Sequence, residues 1–260
     1  MEEMARQYNK QVFWIMGRGV SVSCGLDWNK KNWNDVRLEE IRERLKEIQQ
    51  NVDTKPLDRL LDHCENLTDL DWKHTFSTLN WDTLFEKAIN KRGWMETPKW
   101  MSSSHVYHWN GTIEKHPNNG ECEKLTGRSP MVLPPDPPSS RGKSVEANFA
   151  FAEMGWAEVL VICGVSFAND CDDALICLIE WVQDELPIGE VRCIVVNYDG
   201  EALKRSCEKL QKYMRQPIIP VNQLFEDWIN GGCKELQEAG VFHNHILNHR
   251  HMRIENEKRS

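Results

Sequence analysis

The segment VFWIMGRGVSVSCG, from Val12 to Gly25, decides the fold. An apolar run over 12–16 is short enough to be a buried strand, and it ends at a turn that contains Gly17 and Gly19. A strand that ends in a glycine-rich turn leaves backbone N–H groups unpaired and lets the chain approach a phosphate closely. The segment therefore predicts either an ordinary tight turn or the phosphate end of a dinucleotide site in a doubly wound sheet.

Three further segments repeat this pattern, in which an apolar run ends at a glycine or an asparagine before a helical stretch. The predicted strands cover about 12–16, 75–79, 158–163 and 191–196. Strands that alternate with helices predict a parallel sheet, and the carboxyl ends of such strands lie along one edge. The residues expected at that edge are Gly17, Asn80, Gly164 and Asn197.

The segments between the strands predict helices and irregular stretches. Helices are expected at about 2–10, 36–50, after Pro56, from a cap at Asp82 to about 90, at 142–156, around Leu175 to Trp181, from about 201, and at 223–230. Residues 93–104 are expected to be irregular, and 106–113 to form a strand that enters a turn.

This pattern predicts an α/β protein with a Rossmann-like, doubly wound parallel sheet and a small inserted helical or irregular module. The sheet domain is assigned to 1–232, with module insertions at about 26–72 and 93–141. Residues 233–260 are predicted to be a polar tail that contains His243, His245, His249 and His251. Paired histidines can bind a metal, but without cysteine partners a solvated helix or a frayed end is preferred, and no metal is expected.

The composition limits the classes of partner and the cellular location that we expect. A net charge of -8 argues against nucleic acid, because phosphate binding needs a basic surface. No apolar run approaches membrane-spanning length, and the first residues lack a signal-peptide pattern, so we expect a cytoplasmic protein. The nine cysteines are scattered and form no Cys-x-x-Cys pair, which predicts free thiols, several of them buried, and no zinc ribbon.

Several segments together resemble the sirtuin family, especially its bacterial sirtuin-like branch of NAD+-consuming proteins. The segment Gly17-Arg-Gly-Val-Ser-Val-Ser-Cys-Gly is similar to the family's Gly-Ala-Gly-x-Ser loop, and Thr78-Leu-Asn80-Trp-Asp82 to its Thr-x-Asn-x-Asp motif. The later segments follow in family order. Tyr107-His-Trp-Asn-Gly111 is similar to the His-Gly motif, and Val132-Leu-Pro-Pro135 is similar to a proline stretch. Gly164-Val-Ser166 and Asn197-Tyr-Asp199 are similar to the adenine-side loops.

The resemblance implies that NAD binds across the carboxyl edge of the sheet and that the nicotinamide–ribose bond is cleaved. It assigns catalysis to Asn80, Asp82 and His108. Asn80 would hold a water or the ribose hydroxyls, and Asp82 would supply negative potential near an oxocarbenium-like sugar. His108 would assist the ribose hydroxyls or act as the base that takes the proton of the water. The cofactor-binding residues that it implies are Gly17, Arg18, Gly19, Ser21, Asn110, Gly164, Ser166, Asn197 and Asp199.

Three departures from the family pattern bear on the activity. Arg18 stands where the family has alanine, and the zinc cysteines of the protein deacylases are absent. Asn110 occupies the position of the family's catalytic histidine, whereas His108, two residues earlier, would face the same side of a strand.

The resemblance and its departures leave three functions open. The first is an NAD+ glycohydrolase of bacterial anti-phage defence, held off by a separate sensor protein or by self-assembly. The second is an NAD- or nucleotide-binding subunit without turnover, and the third, less favoured, is a protein deacylase.

Overall fold

The computed structural model describes residues 10–26, 38–109, 112, 145–167 and 191–243. The strands in these ranges are β1 Lys10–Met16, β2 Trp72–Thr78, β3 Met101–His108, β4 Val159–Cys163, β5 Arg192–Val196 and β6 Ile219–Val221. The helices are α1 Arg18–Ser23, α2 Leu38–Gln50, α3 Lys55–Leu67, α4 Leu84–Lys91, α5 Val145–Met154, α6 Gly200–Gln211, α7 Phe225–Asn230 and α8 Lys234–Glu238.

The six strands form one parallel sheet in the order β3-β2-β1-β4-β5-β6. From β1 the chain adds β2 and β3 on one side, and it then adds β4, β5 and β6 on the other side. This is the strand order of a Rossmann-type doubly wound sheet, in which ligands bind where the order reverses, at the carboxyl ends of the two central strands. The predicted fold class is therefore confirmed.

The central strand β1 is buried on both faces, which explains its unbroken apolar run. Val12 and Trp14 belong to one hydrophobic layer, whereas Phe13 and Ile15 belong to the layer on the opposite face. All four residues are completely inaccessible to solvent. Since successive side chains of a strand point to opposite faces, a single run of apolar residues supplies both layers.

His74 is a fully buried histidine in the middle of an aromatic layer. Its ring stacks on those of Trp14 and Phe76. The Trp14 indole N–H donates to Nδ1 at 2.9 Å, so the Nε2–H group donates to the Thr68 hydroxyl, also at 2.9 Å. Burial lowers the pKa of His74 to about 3, which keeps the ring neutral.

Several local predictions need correction. Strand β3 begins at residue 101, inside the stretch expected to be irregular, so this part of the predicted insertion at 93–141 is a strand of the main sheet. Thr83 holds the N-cap position of α4 but makes no side-chain capping bond, whereas the Asp82 carboxylate accepts from the N–H of Leu84, the first residue of the helix. The short strand β6 was not predicted. The expected helices at 2–10 and around Leu175 lie outside the described residues.

The prediction of a polar tail from residue 233 is wrong as far as residue 243. Cys233, Leu236, Val241 and Phe242 are all buried in the layer that contains Trp14. Phe242 also forms an antiparallel bridge with Thr68. His243 lies at the surface with Nε2 3.6 Å from the Asp69 carboxylate, and the other three tail histidines lie outside the described residues.

None of the helices in the described ranges has both the length and the apolar character needed to cross a bilayer. Within those same ranges, no three histidine, cysteine or acidic side chains are grouped as they would be around a metal ion.

Candidate functional site

The turns after β1 and β4 meet at the point where the strand order reverses. The N–H of Gly17 donates to the Cys163 carbonyl at 2.7 Å, and the N–H of Gly19 donates to the Gly164 carbonyl at 3.0 Å. A Cβ atom added to Gly164 would lie 2.6 Å from the Gly19 Cα, and Gly164 has a φ of +67°. Close backbone packing therefore requires glycine at these positions.

This packing changes the expected role of the first glycine turn. The structure has the start of a helix here, α1, and the N–H groups of Gly17 and Gly19 already donate to backbone carbonyls. The expectation that these two N–H groups are unpaired is therefore wrong. Their participation in cofactor binding stays a prediction, and in the structure the two glycines join the β1 turn to the β4 turn.

Asn80 is fixed by hydrogen bonds from its neighbours. Its side-chain NH2 group donates to the Gly17 carbonyl at 3.0 Å and to the Ser21 hydroxyl at 2.8 Å, and its backbone N–H donates to the Thr78 hydroxyl at 3.0 Å. Because a carbonyl only accepts, the contact with Gly17 identifies the amide nitrogen. Both amide hydrogens are then used, and no described residue donates to the amide oxygen, Oδ1.

Ser21 connects Asn80 to Asp82. Since its hydroxyl oxygen accepts from Asn80, its proton is free to donate to Asp82 Oδ2, at 2.7 Å. The other carboxylate oxygen of Asp82 accepts from the Leu84 N–H at 3.3 Å. Three residues that the sequence predicted as site residues are thus joined in one hydrogen-bonded cluster at the carboxyl edge of the sheet.

Opposing effects act on the Asp82 carboxyl group. Burial of the group is the largest and raises its pKa above the ordinary value. The hydrogen bonds from Ser21 and from the Leu84 N–H lower the pKa, as does the charge of His108, whereas the charge of Glu86 raises it. The protonation state of Asp82 is therefore sensitive to the loss of any one of these neighbours.

His108 is buried, and both of its ring nitrogens are engaged. Nδ1 lies 3.1 Å from the Asn80 carbonyl oxygen, and Nε2 lies 2.5 Å from Glu86 Oε1. The carbonyl only accepts, so Nδ1 carries a hydrogen, and a second proton lies between Nε2 and Oε1. In this arrangement His108 has no lone pair free for a substrate proton, contrary to its expected role as a base.

The residues assigned to the adenine-side loops make hydrogen bonds within the turns after β4 and β5. Asn197 is buried and donates through its side-chain NH2 to the Val165 carbonyl at 3.1 Å, while its Oδ1 accepts from the Asp199 N–H. Asp199 caps α6 by accepting from the N–H groups of Glu201 and Ala202. Ser166 is half-buried in the turn after β4. Contacts of these residues with a nucleotide stay predictions.

Arg18 and Asn110 are the two remaining residues that the sequence predicted for the site. Arg18 is exposed at the first position of α1, beside the glycines at the reversal point. Asn110 lies outside the described residues. Glu86 was missed by sequence reasoning, although it follows Asp82 by one helical turn and is the acidic residue of the first turn of α4.

No protein-family model matches the chain, and no curated protein matches it. Among solved structures, it is similar to a sirtuin studied for substrate affinity, with 12% identity and a TM-score of 0.47 over 89% of this chain and 94% of that one. It is also similar to a Sir2–p53 peptide–NAD+ complex, with 13% identity and a TM-score of 0.46 over 93% and 99%. Identity this low assigns no activity to the chain.

Proposed function

We propose that the chain binds NAD+ along the carboxyl edge of the sheet and hydrolyses its nicotinamide–ribose bond. The observation that carries this proposal is the cluster of Asn80, Ser21 and Asp82 beside the point where the strand order reverses. It is supported by the order of the sirtuin-like segments in the sequence. In the reaction, the carbon–nitrogen bond breaks, nicotinamide leaves with the bonding electrons, and water adds to the anomeric carbon with loss of a proton.

Asn80 has the chemistry to hold the attacking water or a ribose hydroxyl. Its NH2 group is fixed by Gly17 and Ser21, which leaves Oδ1 as an acceptor whose position is set before the ligand arrives. An acceptor held in place needs no reorganisation when the reaction occurs, and such preorganisation is a large source of catalysis. Because both side-chain N–H bonds are already used, the amide acts on the water or the hydroxyl only as an acceptor.

Asp82 has the chemistry to stabilise the cationic sugar that forms as nicotinamide leaves. Its ionised form is supported by the Ser21 hydroxyl and the Leu84 N–H, and its partial burial strengthens its electrostatic effect. His108 is reassigned in this proposal. Because both of its nitrogens face protein partners, it supports the turn that carries Asn80 and does not take a proton from the water.

NAD+ hydrolysis would deplete the cell's NAD+ and therefore needs control. We propose that this activity serves bacterial anti-phage defence and is released by a separate sensor protein or by self-assembly. A second function, nucleotide binding without turnover, is favoured by the engagement of the Gly17 and Gly19 N–H groups and of both His108 nitrogens. Protein deacylation is the third candidate.

One assay separates the three functions. Purified chain is incubated with NAD+, alone, with an acylated peptide, and with co-expressed neighbouring proteins, and free nicotinamide is measured. Hydrolysis releases nicotinamide without peptide, deacylation releases it only with the peptide, and a binding subunit releases none while NAD+ binding remains measurable by calorimetry. We expect the Asn80→Ala variant to lose on the order of a hundredfold or more in rate.

The matched control for this variant is Asn230→Ala. Asn230 also has a side-chain hydrogen bond, 2.7 Å from the Arg59 guanidinium, but it ends α7 and is exposed. Its replacement is expected to leave nicotinamide release unchanged. An Asn80→Ala protein that is folded and as active as this control would contradict the catalytic assignment.

A further inference from the structure

Glu86 and His108 form a pair that contacts the backbone of the Asn80 turn. Glu86 lies in the first turn of α4, and His108 is the last residue of β3. The His108 side chain is inaccessible to solvent, and that of Glu86 is only 17% exposed. A buried acid–histidine pair loses the hydration of both partners and is by itself weak evidence for a stabilising role. A role in the neighbouring site is therefore worth testing.

The pair completes the set of contacts that fixes Asn80. Neighbouring protein groups accept both side-chain N–H bonds and the backbone N–H of this residue. The His108 Nδ1–H bond to the Asn80 carbonyl, at 3.1 Å, secures the fourth polar group. Among the polar groups of Asn80, only the amide oxygen is then left for a ligand. Glu86 makes this possible at Nε2: as an acid it donates its proton to that nitrogen, and as a carboxylate it stabilises the doubly protonated ring, so that Nδ1 keeps its hydrogen in either case.

The same pair also acts on the second predicted catalytic residue. The charges of His108 and Glu86 shift the pKa of Asp82 in opposite directions, which indicates that both lie within electrostatic range of its carboxyl group. Asn80 and Asp82 are separated by a single residue and share the Ser21 hydroxyl as a partner, so the turn that carries one of them also carries the other.

We propose that Glu86 is a positioning residue for the NAD+ site, acting through His108 to fix the turn over residues 80–82. This deepens the proposed function and rests on it. Glu86 itself touches neither water nor substrate in this proposal. It supplies the partner of Nε2, so that Nδ1 of His108 keeps the hydrogen that is donated to the Asn80 carbonyl.

The first test is kinetic. In the Glu86→Ala variant we expect kcat for nicotinamide release to fall by about 10- to 100-fold, with KM for NAD+ changed less than about threefold, because a misplaced catalytic group costs rate more than binding. Glu86→Gln should recover most of kcat, since its amide NH2 can donate to Nε2 while the Nδ1–H bond is retained. A residue that only stabilises the fold would not give this split or this rescue.

The matched control is Lys87→Ala, one residue along the same helix. Its ammonium group donates to the carbonyls of Gln49 and Gln50 rather than to the site. This variant is expected to keep kcat even where it lowers the melting temperature. If Glu86→Ala folds and keeps wild-type kcat, or if Lys87→Ala loses as much kcat as Glu86→Ala, the positioning role is overturned.

The second test needs no activity and so separates this proposal from the proposed function. Hydrogen exchange followed by mass spectrometry reports the opening of the segment 78–84. We expect exchange there to accelerate in Glu86→Ala and in His108→Asn, and to stay at the wild-type rate in Glu86→Gln and Lys87→Ala. Unchanged exchange in Glu86→Ala overturns the positioning role. Accelerated exchange in a protein that never releases nicotinamide supports that role and contradicts the hydrolase function alone.

Discussion

Gly19 donates its backbone N–H to the carbonyl of Gly164, at 3.0 Å, and so joins the turn after β1 to the turn after β4. The two turns pack at the point where the strand order reverses, backbone against backbone. The contact leaves no space for a side chain on either residue. This pair fixes the floor of the proposed NAD+ site.

We predict that Gly164→Ala is strongly destabilising. The new Cβ would lie 2.6 Å from the Gly19 Cα, and the φ of +67° is unfavourable for alanine. The backbone strain alone is worth about 1–2 kcal/mol, and the steric overlap adds to it. The control is Gly93→Ala, which has a φ of +60° and no neighbour within 4 Å, so that it measures the strain without the overlap. Equal losses in denaturant unfolding would show that the close contact contributes nothing.

We predict that Ser21→Ala moves the acid limb of the pH–rate profile to higher pH. The Ser21 hydroxyl donates to the Asp82 carboxylate and lowers its pKa, so removing it raises that pKa further. Asp82 must be ionised to stabilise the cationic sugar, and a larger fraction is then protonated at any given acidic pH. Ser23→Ala, in the same helix, removes only a bond to the Gly19 carbonyl and should leave the limb in place. A limb that shifts equally in both variants would contradict the assignment.

We predict that His74 makes the protein less stable as the pH falls below 6.5. Burial lowers its pKa from 6.5 to about 3 in the folded state, so protons bind more tightly to the unfolded chain. The stability is fully present above pH 6.5 and is lost as the pH falls toward 3, by at most about 1.4 kcal/mol per pH unit.

The test is chemical unfolding between pH 7 and 5, above the range in which most carboxyl groups titrate. In His74→Gln the amide can still accept from the Trp14 indole and donate to Thr68, but it does not titrate. The slope of stability against pH should therefore decrease. The half-buried His63, whose Nδ1 contacts the Arg59 carbonyl, provides the control His63→Gln. A slope that is unchanged by His74→Gln assigns the pH dependence to other groups.

We predict that Phe242→Ala costs about 3–5 kcal/mol of unfolding free energy, as expected for a large aromatic side chain removed from a core. Phe242 is 3% exposed, and its ring packs against that of His74. The adjacent His243 is half-exposed, with Nε2 3.6 Å from Asp69, so His243→Ala should cost less than about 1 kcal/mol. A loss from Phe242→Ala as small as that from His243→Ala would show that residues near 243 form the solvated tail that the sequence predicted.

The sheet could be predicted because its signal is local. The apolar run from Val12 to Met16 and the glycine that follows it define both a buried strand and its carboxyl end, and the parallel order follows from the alternation of strands and helices. The short strand Ile219–Val221 escaped prediction because three residues, one of them Pro220, give no periodic pattern. The burial of Phe242 was not predicted either, because it depends on a bridge to Thr68, which is far away in the sequence.

The residues of the candidate cluster could be selected from the sequence, but their hydrogen bonds could not. The motif order selected Ser21, Asn80 and Asp82, which the fold brings together. The sequence does not state which proton each group donates, and this is what changed the expected role of His108. Its partner Glu86 comes from a different element, so the side-chain pairing appears only once α4 is packed against β3.

The position of β1 at the centre of the sheet has a consequence for synthesis on the ribosome. Val12 pairs with His74 on one side and with Val159 on the other, so one edge of this strand has no partner until β4 has left the exit tunnel. During that interval a strand with five consecutive apolar residues exposes an open edge, the kind of surface that recruits chaperones or other nascent chains. We therefore expect co-translational folding to stall at a β1–β2–β3 intermediate and the yield of native protein to depend on translation speed between β3 and β4.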